Sequence, residues 1–217
     1  MEKSILKKDG LFAVISDVYQ FSKGFFKENK DKLVKVGITL GIVVICLGFY
    51  LINKVNTNKK SLIVFAQADQ NYLAGNIQDA VLQYEKLVET YPSSKYNALA
   101  LYRAGNCYYV AGRYDKALEC YNKSLTKSPD RLTKSYVLEG IGFVEEEKGN
   151  MDSAIDFYRK ASKIKNMEYR NGEISINIAR CFEKSGKQNE AIDTYREIAQ
   201  RYPKSLWATK AQVKLPK

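Results

Sequence analysis

Gly105-Asn106-Cys107-Tyr108-Tyr109-Val110-Ala111-Gly112-Arg113-Tyr114-Asp115-Lys116-Ala117-Leu118-Glu119-Cys120-Tyr121 holds a small residue, a glycine, an alanine and a tyrosine at offsets that recur along the chain. Gly75, Gly112, Gly149 and Gly186 are 37 residues apart. Seven positions before each lies Ala68, Gly105, Gly142 or Ala179; five positions after comes Ala80, Ala117, Ala154 or Ala191; four further on comes Tyr84, Tyr121, Tyr158 or Tyr195. A period in this range marks stacked supersecondary units, each burying its apolar face against its neighbours.

Each repeated position has a physical task. Small residues belong where two helix axes approach closely, so Ala68, Gly105, Gly142 and Ala179 are expected on the first helix of a pair, facing the repeated alanines on the second. The tyrosines fill the wider gap further along as bulky packing groups. The periodic glycines fall between the helices, where a residue with φ > 0 ends one helix and turns the chain. Pro92, Pro129 and Pro203 stop the second helix, with Asn166 in that place in the third unit, and Ser94, Asp130 and Ser205 are candidate N-caps for the next helix.

These residues resemble the tetratricopeptide repeat, from Ser61 to about Ser205. That resemblance implies an all-α fold: a right-handed α-solenoid of four helix-turn-helix units at 61–205, closed by a capping helix and tail at 206–217. The period exceeds the usual roughly 34 residues. The extra residues lie between the proline and the next unit, and are expected to lengthen each first helix by nearly one turn. Elongated repeats of this kind are similar to those of bacterial envelope proteins that assist outer-membrane assembly or coordinate division.

Val36 to Asn53 carries no charge, and Leu33 and Val34 extend the apolar stretch past Lys35. About 20 residues at ~1.5 Å each cover a hydrocarbon core of ~30 Å. A transmembrane helix is therefore expected at 33–53, after a basic, amphipathic segment at 1–32 and before a linker at 54–60. The long region preceding it, and the lack of a small-x-small site at Leu51-Ile52-Asn53-Lys54, favour a retained anchor over a cleaved signal peptide. Lys23, Lys27, Lys30, Lys32 and Lys35 precede the span, and Lys54, Lys59 and Lys60 follow it. This bias places the N-terminus in the cytoplasm and the repeats in the periplasm, across an inner membrane. Leu11, Val14, Ile15, Val18, Phe21 or Ser22, and Phe25 follow helical spacing, either as a helix on the inner leaflet or as a short soluble helix. Gly37, Gly41 and Gly48 share one face of the span and would allow helix pairing there.

Phe25-Phe26-Lys27-Glu28-Asn29, a glycine-bearing span and a soluble repeat domain together resemble the ancillary subunit of the bacterial SecYEG translocon. That resemblance implies one N-terminal anchor, a periplasmic repeat domain, and translocon and periplasmic chaperones as partners.

The chain has no histidine, which removes imidazole-based nucleophile systems, His-based zinc sites and imidazole acid–base work. It has no phosphate-binding glycine loop either, so no enzyme activity, cofactor or metal is expected. Much of the net charge of +11 is juxtamembrane and the rest is spread over the repeats with no dense basic stripe, so no nucleic-acid partner is expected. Cys46 lies in the span. Cys107 and Cys181 are two repeats apart, and Cys107 could meet Cys120 only within one unit; reduced thiols filling the core are favoured over a bridge.

By the tetratricopeptide resemblance, the first helices line a concave face that binds a protein or peptide. Candidates there are Phe65, Tyr72, Tyr102, Asn106, Tyr109, Tyr136, Glu139, Phe143, Glu146, Glu147 and Arg180. The groove would be aromatic near the membrane and largely acidic further out, and would suit peptides mixing apolar and basic residues. The competing reading packs these rings against one another. Function is accordingly expected to be a membrane-anchored interaction scaffold, with self-association into an envelope assembly, a homo-oligomer, as the alternative.

Overall fold

The computed structural model describes residues 2–216, with side chains from Ala13 onward, so Leu11 of the apolar spacing lies outside the described side chains. Two compact units emerge, residues 1–53 and residues 54–217. In the first, helix α1 (Glu2–Glu28) meets helix α2 (Lys30–Leu73) at Asn29. Val14, Ile15, Val18, Phe21 and Phe25 of α1 are exposed, as are the apolar side chains from Val34 to Ile52 in α2. The helix is long and apolar enough to cross a membrane.

Residues 54–60, expected as a linker, are helical because α2 runs through them. No glycine or proline occurs between Gly48 and Leu73, so nothing in the local sequence stops the helix.

The second unit is wholly helical apart from its turns. The C-terminal part of α2 pairs with α3 (Ile77–Thr90), followed by the pairs α4 (Asn97–Val110) with α5 (Tyr114–Thr126), α6 (Arg131–Glu147) with α7 (Met151–Ser162), and α8 (Asn171–Lys184) with α9 (Gln188–Arg201). A ninth member of the array, α10 (Leu206–Lys214), closes it and buries Ala208 and Ala211. Each first helix ends alike. The four periodic glycines have φ between 70° and 81°. The amide after each one reaches back five residues: Asn76 to Asn71, Arg113 to Tyr108, Asn150 to Glu145 and Lys187 to Phe182, at 2.8–2.9 Å. This is the Schellman closure, and a β-carbon at the glycine would strain it by ~1–2 kcal/mol.

The second helices end less uniformly. Pro92, Pro129 and Pro203 follow the stops of α3, α5 and α9, while in the third unit Asn166 takes φ +62° and turns the chain without a proline. Asp130 and Ser205 cap as expected, accepting from Thr133 N at 2.9 Å and Ala208 N at 3.1 Å. Ser94 does not cap α4, which starts three residues later; its hydroxyl bonds Ser61 at 2.7 Å and accepts from Tyr96 N instead. The three extra residues per repeat also vary in use. They lengthen α6 to 17 residues, whereas before α4 they form turns and before α8 a 3-10 turn, Glu168–Arg170.

Inside each pair the repeated alanines are fully buried, and Tyr84, Tyr121, Tyr158 and Tyr195 are nearly so. The small residue of the first helix makes room chiefly for that tyrosine. A β-carbon on Gly105 would lie 2.5 Å from the Tyr121 ring, and one on Gly142 2.5 Å from the Tyr158 ring. Tyr121 is held from a second side as well, because a β-carbon on Gly140 of the next unit would come within 2.7 Å of it. Cys107 and Cys181 lie at the same repeat position as the buried Val144, all with free thiols or methyls facing the core, and burial pushes their thiols up to about 11 and 12. The first unit has Gln70 there, exposed, so the array opens on a polar residue where later units bury an apolar one.

Because Tyr121 is gripped from both sides, Gly105→Ala or Gly140→Ala should destabilise a fragment of residues 54–217 by about 1–3 kcal/mol. Alanine is the better helix former by ~1 kcal/mol, so a urea titration showing either variant more stable than the parent would remove this role for the glycines.

Candidate functional site

The buried tyrosines carry hydroxyls that need acceptors, and the first helices supply them from two alternative positions one turn apart. Tyr84 donates to Asp69, and Tyr121 to Asn106 at 2.7 Å. In the third and fourth units that repeat position holds Phe143 and Arg180, and the acceptor moves three residues on: Tyr158 donates to Glu146 and Tyr195 to Glu183, both at 3.0 Å. Where the acceptor sits at the earlier position, the later one is aromatic, Tyr72 or Tyr109. The face formed by the first helices thus changes from rings to charges along the array.

The seams between units follow the same change. Phe65 stacks on Tyr96 of the next unit, with centroids 5.9 Å apart. Two repeats later, the equivalent positions hold Glu139 and Arg170, a buried ion pair. Arg170 also donates to Ser135 at 2.5 Å and lies 3.9 Å over the Tyr136 ring, while Asn177 donates to Glu139 at 3.0 Å. Tyr102 stacks on Tyr136 at 5.8 Å, and Tyr109 meets Phe143 at 6.3 Å. One repeat beyond the Tyr109–Phe143 contact, Glu146 takes two hydrogen bonds from Arg180, each 2.7 Å, and meets a second cation, Lys184, at 2.9 Å.

These two buried carboxylates are not equivalent. Burial pushes Glu139 up, and Arg170 does not fully offset it. Burial also works against the charge of Glu146, but the hydrogen bonds from Arg180 and Lys184 outweigh it and hold the carboxyl at about 2. Correspondingly, Glu146 pushes Arg180 up.

Among the residues expected on this face, Tyr72, Tyr102, Asn106, Tyr109, Tyr136, Phe143 and Arg180 are half-buried and Glu147 is exposed. Phe65 is buried, pinned between Tyr84 and Tyr96. Glu139 and Glu146 correct the expectation of an acidic groove: both are buried and neutralised by cations from the next unit. Gly37, Gly41 and Gly48 belong to the first unit, where a β-carbon on any of them would meet open space. Arg170 is the functional neighbour that sequence reasoning missed. Its signal was present, since it shares a repeat position with Tyr96 and Trp207 and faces a glutamate where they face apolar residues. Among the described residues, no cluster of potential metal ligands occurs.

With the repeats and their face in view, comparison with known proteins becomes decisive. The family described as the tetratricopeptide repeat protein 21 N-terminal ARM repeat matches residues 51–216. The chain belongs to this family. Among solved structures, MamA is 19% identical, with 66% of this chain and 79% of that one covered and a TM-score of 0.54. YrrB, described as a TPR protein with an unusual peptide-binding site, is also 19% identical, with 75% and 80% covered and a TM-score of 0.54. A putative kinesin light chain of Podosopora anserina with nearly identical TPR-like repeats reaches a TM-score of 0.59 at 13% identity, with 73% and 84% covered. At these identities the likeness is one of fold. No curated protein matches the chain.

Glu146 also gives the array a pH signature. A carboxyl held below its unfolded value stabilises the fold above that value, and the contribution disappears as pH falls from 4.5 towards about 2. In residues 54–217, Glu146→Gln should cost roughly 2–3 kcal/mol at neutral pH. The difference from the parent should shrink steadily across that window, because protonation removes the same charge. Glu139, shifted the other way, affects both proteins equally and cancels in the difference. A pH-independent difference in thermal melts would exclude the Glu146 clamp as its source.

Proposed function

We propose that this chain is a membrane-anchored scaffold that holds a segment of another protein on the concave face formed by its first helices. The observation that carries the reading is the run of half-buried rings, Tyr72, Tyr102, Tyr109, Tyr136 and Phe143, along that one face. Each ring packs well enough to be held rigid and leaves part of its surface to water, as binding anchors do. Membership of a tetratricopeptide repeat family supports protein or peptide as the ligand class.

The apolar, exposed run from Val34 to Ile52 supports anchoring in lipid. The excess of lysines before it favours a cytoplasmic N-terminus and periplasmic repeats. In that setting the partners are envelope proteins, with translocon subunits and periplasmic chaperones the classes suggested by the translocon-like architecture. Self-association is the second reading, favoured by the open space over Gly37, Gly41 and Gly48, which would admit a second helix closely.

A photo-crosslinker at Tyr109 in cells, followed by identification of the adduct, tests the scaffold reading. It should capture a different protein, and Tyr102→Ala should reduce capture severalfold without lowering abundance. Adducts only with the chain itself would favour self-association, and their absence from every ring position would remove the concave face as a binding surface. External protease acting on cells with a permeable outer membrane should digest the repeats; repeats resistant until the inner membrane is lysed would place them in the cytoplasm.

A further inference from the structure

Three of the four second-helix tyrosines carry a second ring from the first-helix side. Tyr84 packs on Phe65 at 5.6 Å, Tyr121 on Tyr102 at 6.1 Å and Tyr158 on Phe143 at 5.6 Å. Among the described residues, no ring packs on Tyr195. The two repeat positions that supply rings elsewhere hold Ile176 and Arg180 in this unit. Beside these residues lies an open pocket of about 370 Å³ between α8 and α10, with Ile176, Val213 and the edge of Tyr195 as its apolar lining. That volume falls within the ~300–1,000 Å³ typical of small binding pockets.

The charges at its rim are unequal. Arg180 is engaged by Glu146, and Lys214 together with the Tyr195 hydroxyl is engaged by Glu183. Lys210 has no carboxylate within ion-pair distance among the described residues; its ammonium lies 5.0 Å over the Trp207 ring. The rim therefore offers a cation without an anion beside an apolar space shaped by the loss of a ring.

We infer that this cavity receives an aromatic side chain of a partner segment, flanked by a carboxylate that pairs with Lys210. The inference rests on the scaffold reading and names the chemistry of its ligand: aromatic and acidic, not the basic one expected from Glu139 and Glu146. An inserted ring would bury apolar surface on Ile176 and Val213 beside Tyr195. Lys210 would select acidic over basic flanks, and reversing its charge would set it against them.

The test uses the full-length chain in detergent micelles and blocked, labelled pentapeptides: phenylalanine between pairs of glutamates, alanine between the same glutamates, and phenylalanine between pairs of lysines. Fluorescence anisotropy should show the first binding at least tenfold more tightly than either control. Emission from Trp207, the single tryptophan, should change on binding as Lys210 leaves its ring. Lys210→Glu should weaken the acidic peptide at least tenfold. Ile176→Phe, which restores the ring found in units one and two, should close the site and abolish binding while leaving the melting curve cooperative. Equal affinity for the three peptides, or unchanged binding by Lys210→Glu, overturns the inference. So does a Trp207 signal that depends on protein concentration without peptide, which would make a second copy the occupant. If the peptides fail while Tyr109 adducts persist in cells, the cavity assignment falls and the scaffold reading stands; loss of the adducts themselves would remove the scaffold reading.

Discussion

The repeat array depends on one side chain per unit, the tyrosine of the second helix. Its ring is too large for the gap between two closely packed helices unless the facing residue is small. Its hydroxyl, once inside, needs an acceptor. Alanine or glycine at 68, 105, 142 and 179 meets the first demand, and Asp69, Asn106, Glu146 and Glu183 meet the second. These demands differ in how tightly they constrain sequence. Room for the ring admits two residue types at one position, so it is strictly periodic. An acceptor is satisfied from either of two neighbouring turns, so it is not. The freed position then takes a ring in the first two units, and in the last two a ring or a cation.

That freedom explains why successive seams have different chemistry on a common backbone. The first is an aromatic stack between Phe65 and Tyr96, the second a run of rings through Tyr102, Tyr136, Tyr109 and Phe143, and the third two buried carboxylates with their arginines. At the last seam Trp207 packs on the backbone at Gly172, where a β-carbon would lie 2.3 Å from the indole. Apolar seams gain from area removed from water with little demand on geometry. The ionic seam gains only because both carboxylates are nearly saturated with donors, since a buried charge lacking its partner costs several kcal/mol.

Much of this was legible in the sequence, and the division is physical. Positions fixed by backbone geometry read directly: the left-handed glycines, the buried alanines and tyrosines, the stops near Pro92, Pro129 and Pro203. Positions fixed by side-chain partnership did not. Glu139 and Glu146 look like surface acids on a helix until Arg170 and Arg180 are placed beside them, and these lie 31 and 34 residues away. Ser94 looks like a cap by its place after Pro92, yet its bond goes to Ser61, a contact between units that no local pattern reveals. Residues 54–60 read as a linker on composition, although nothing in them breaks a helix. The absent ring over Tyr195 was visible as Ile176 and Arg180 in columns that elsewhere hold Phe65, Tyr102 and Phe143, but a vacancy acquires meaning only when its walls are known.

The chemical difference between seams also bears on how such an array can evolve. Identical repeats can be duplicated, deleted or shuffled by recombination, since every copy fits every neighbour. Here a copy of the third unit moved next to the first would bring Glu139 and Glu146 against a unit lacking Arg170 and Arg180, and leave two carboxylates buried without cations. Each unit has in effect become specific to its address. The 37-residue period preserves the trace of ancestral duplication, while the seams now lock the number and order of the copies.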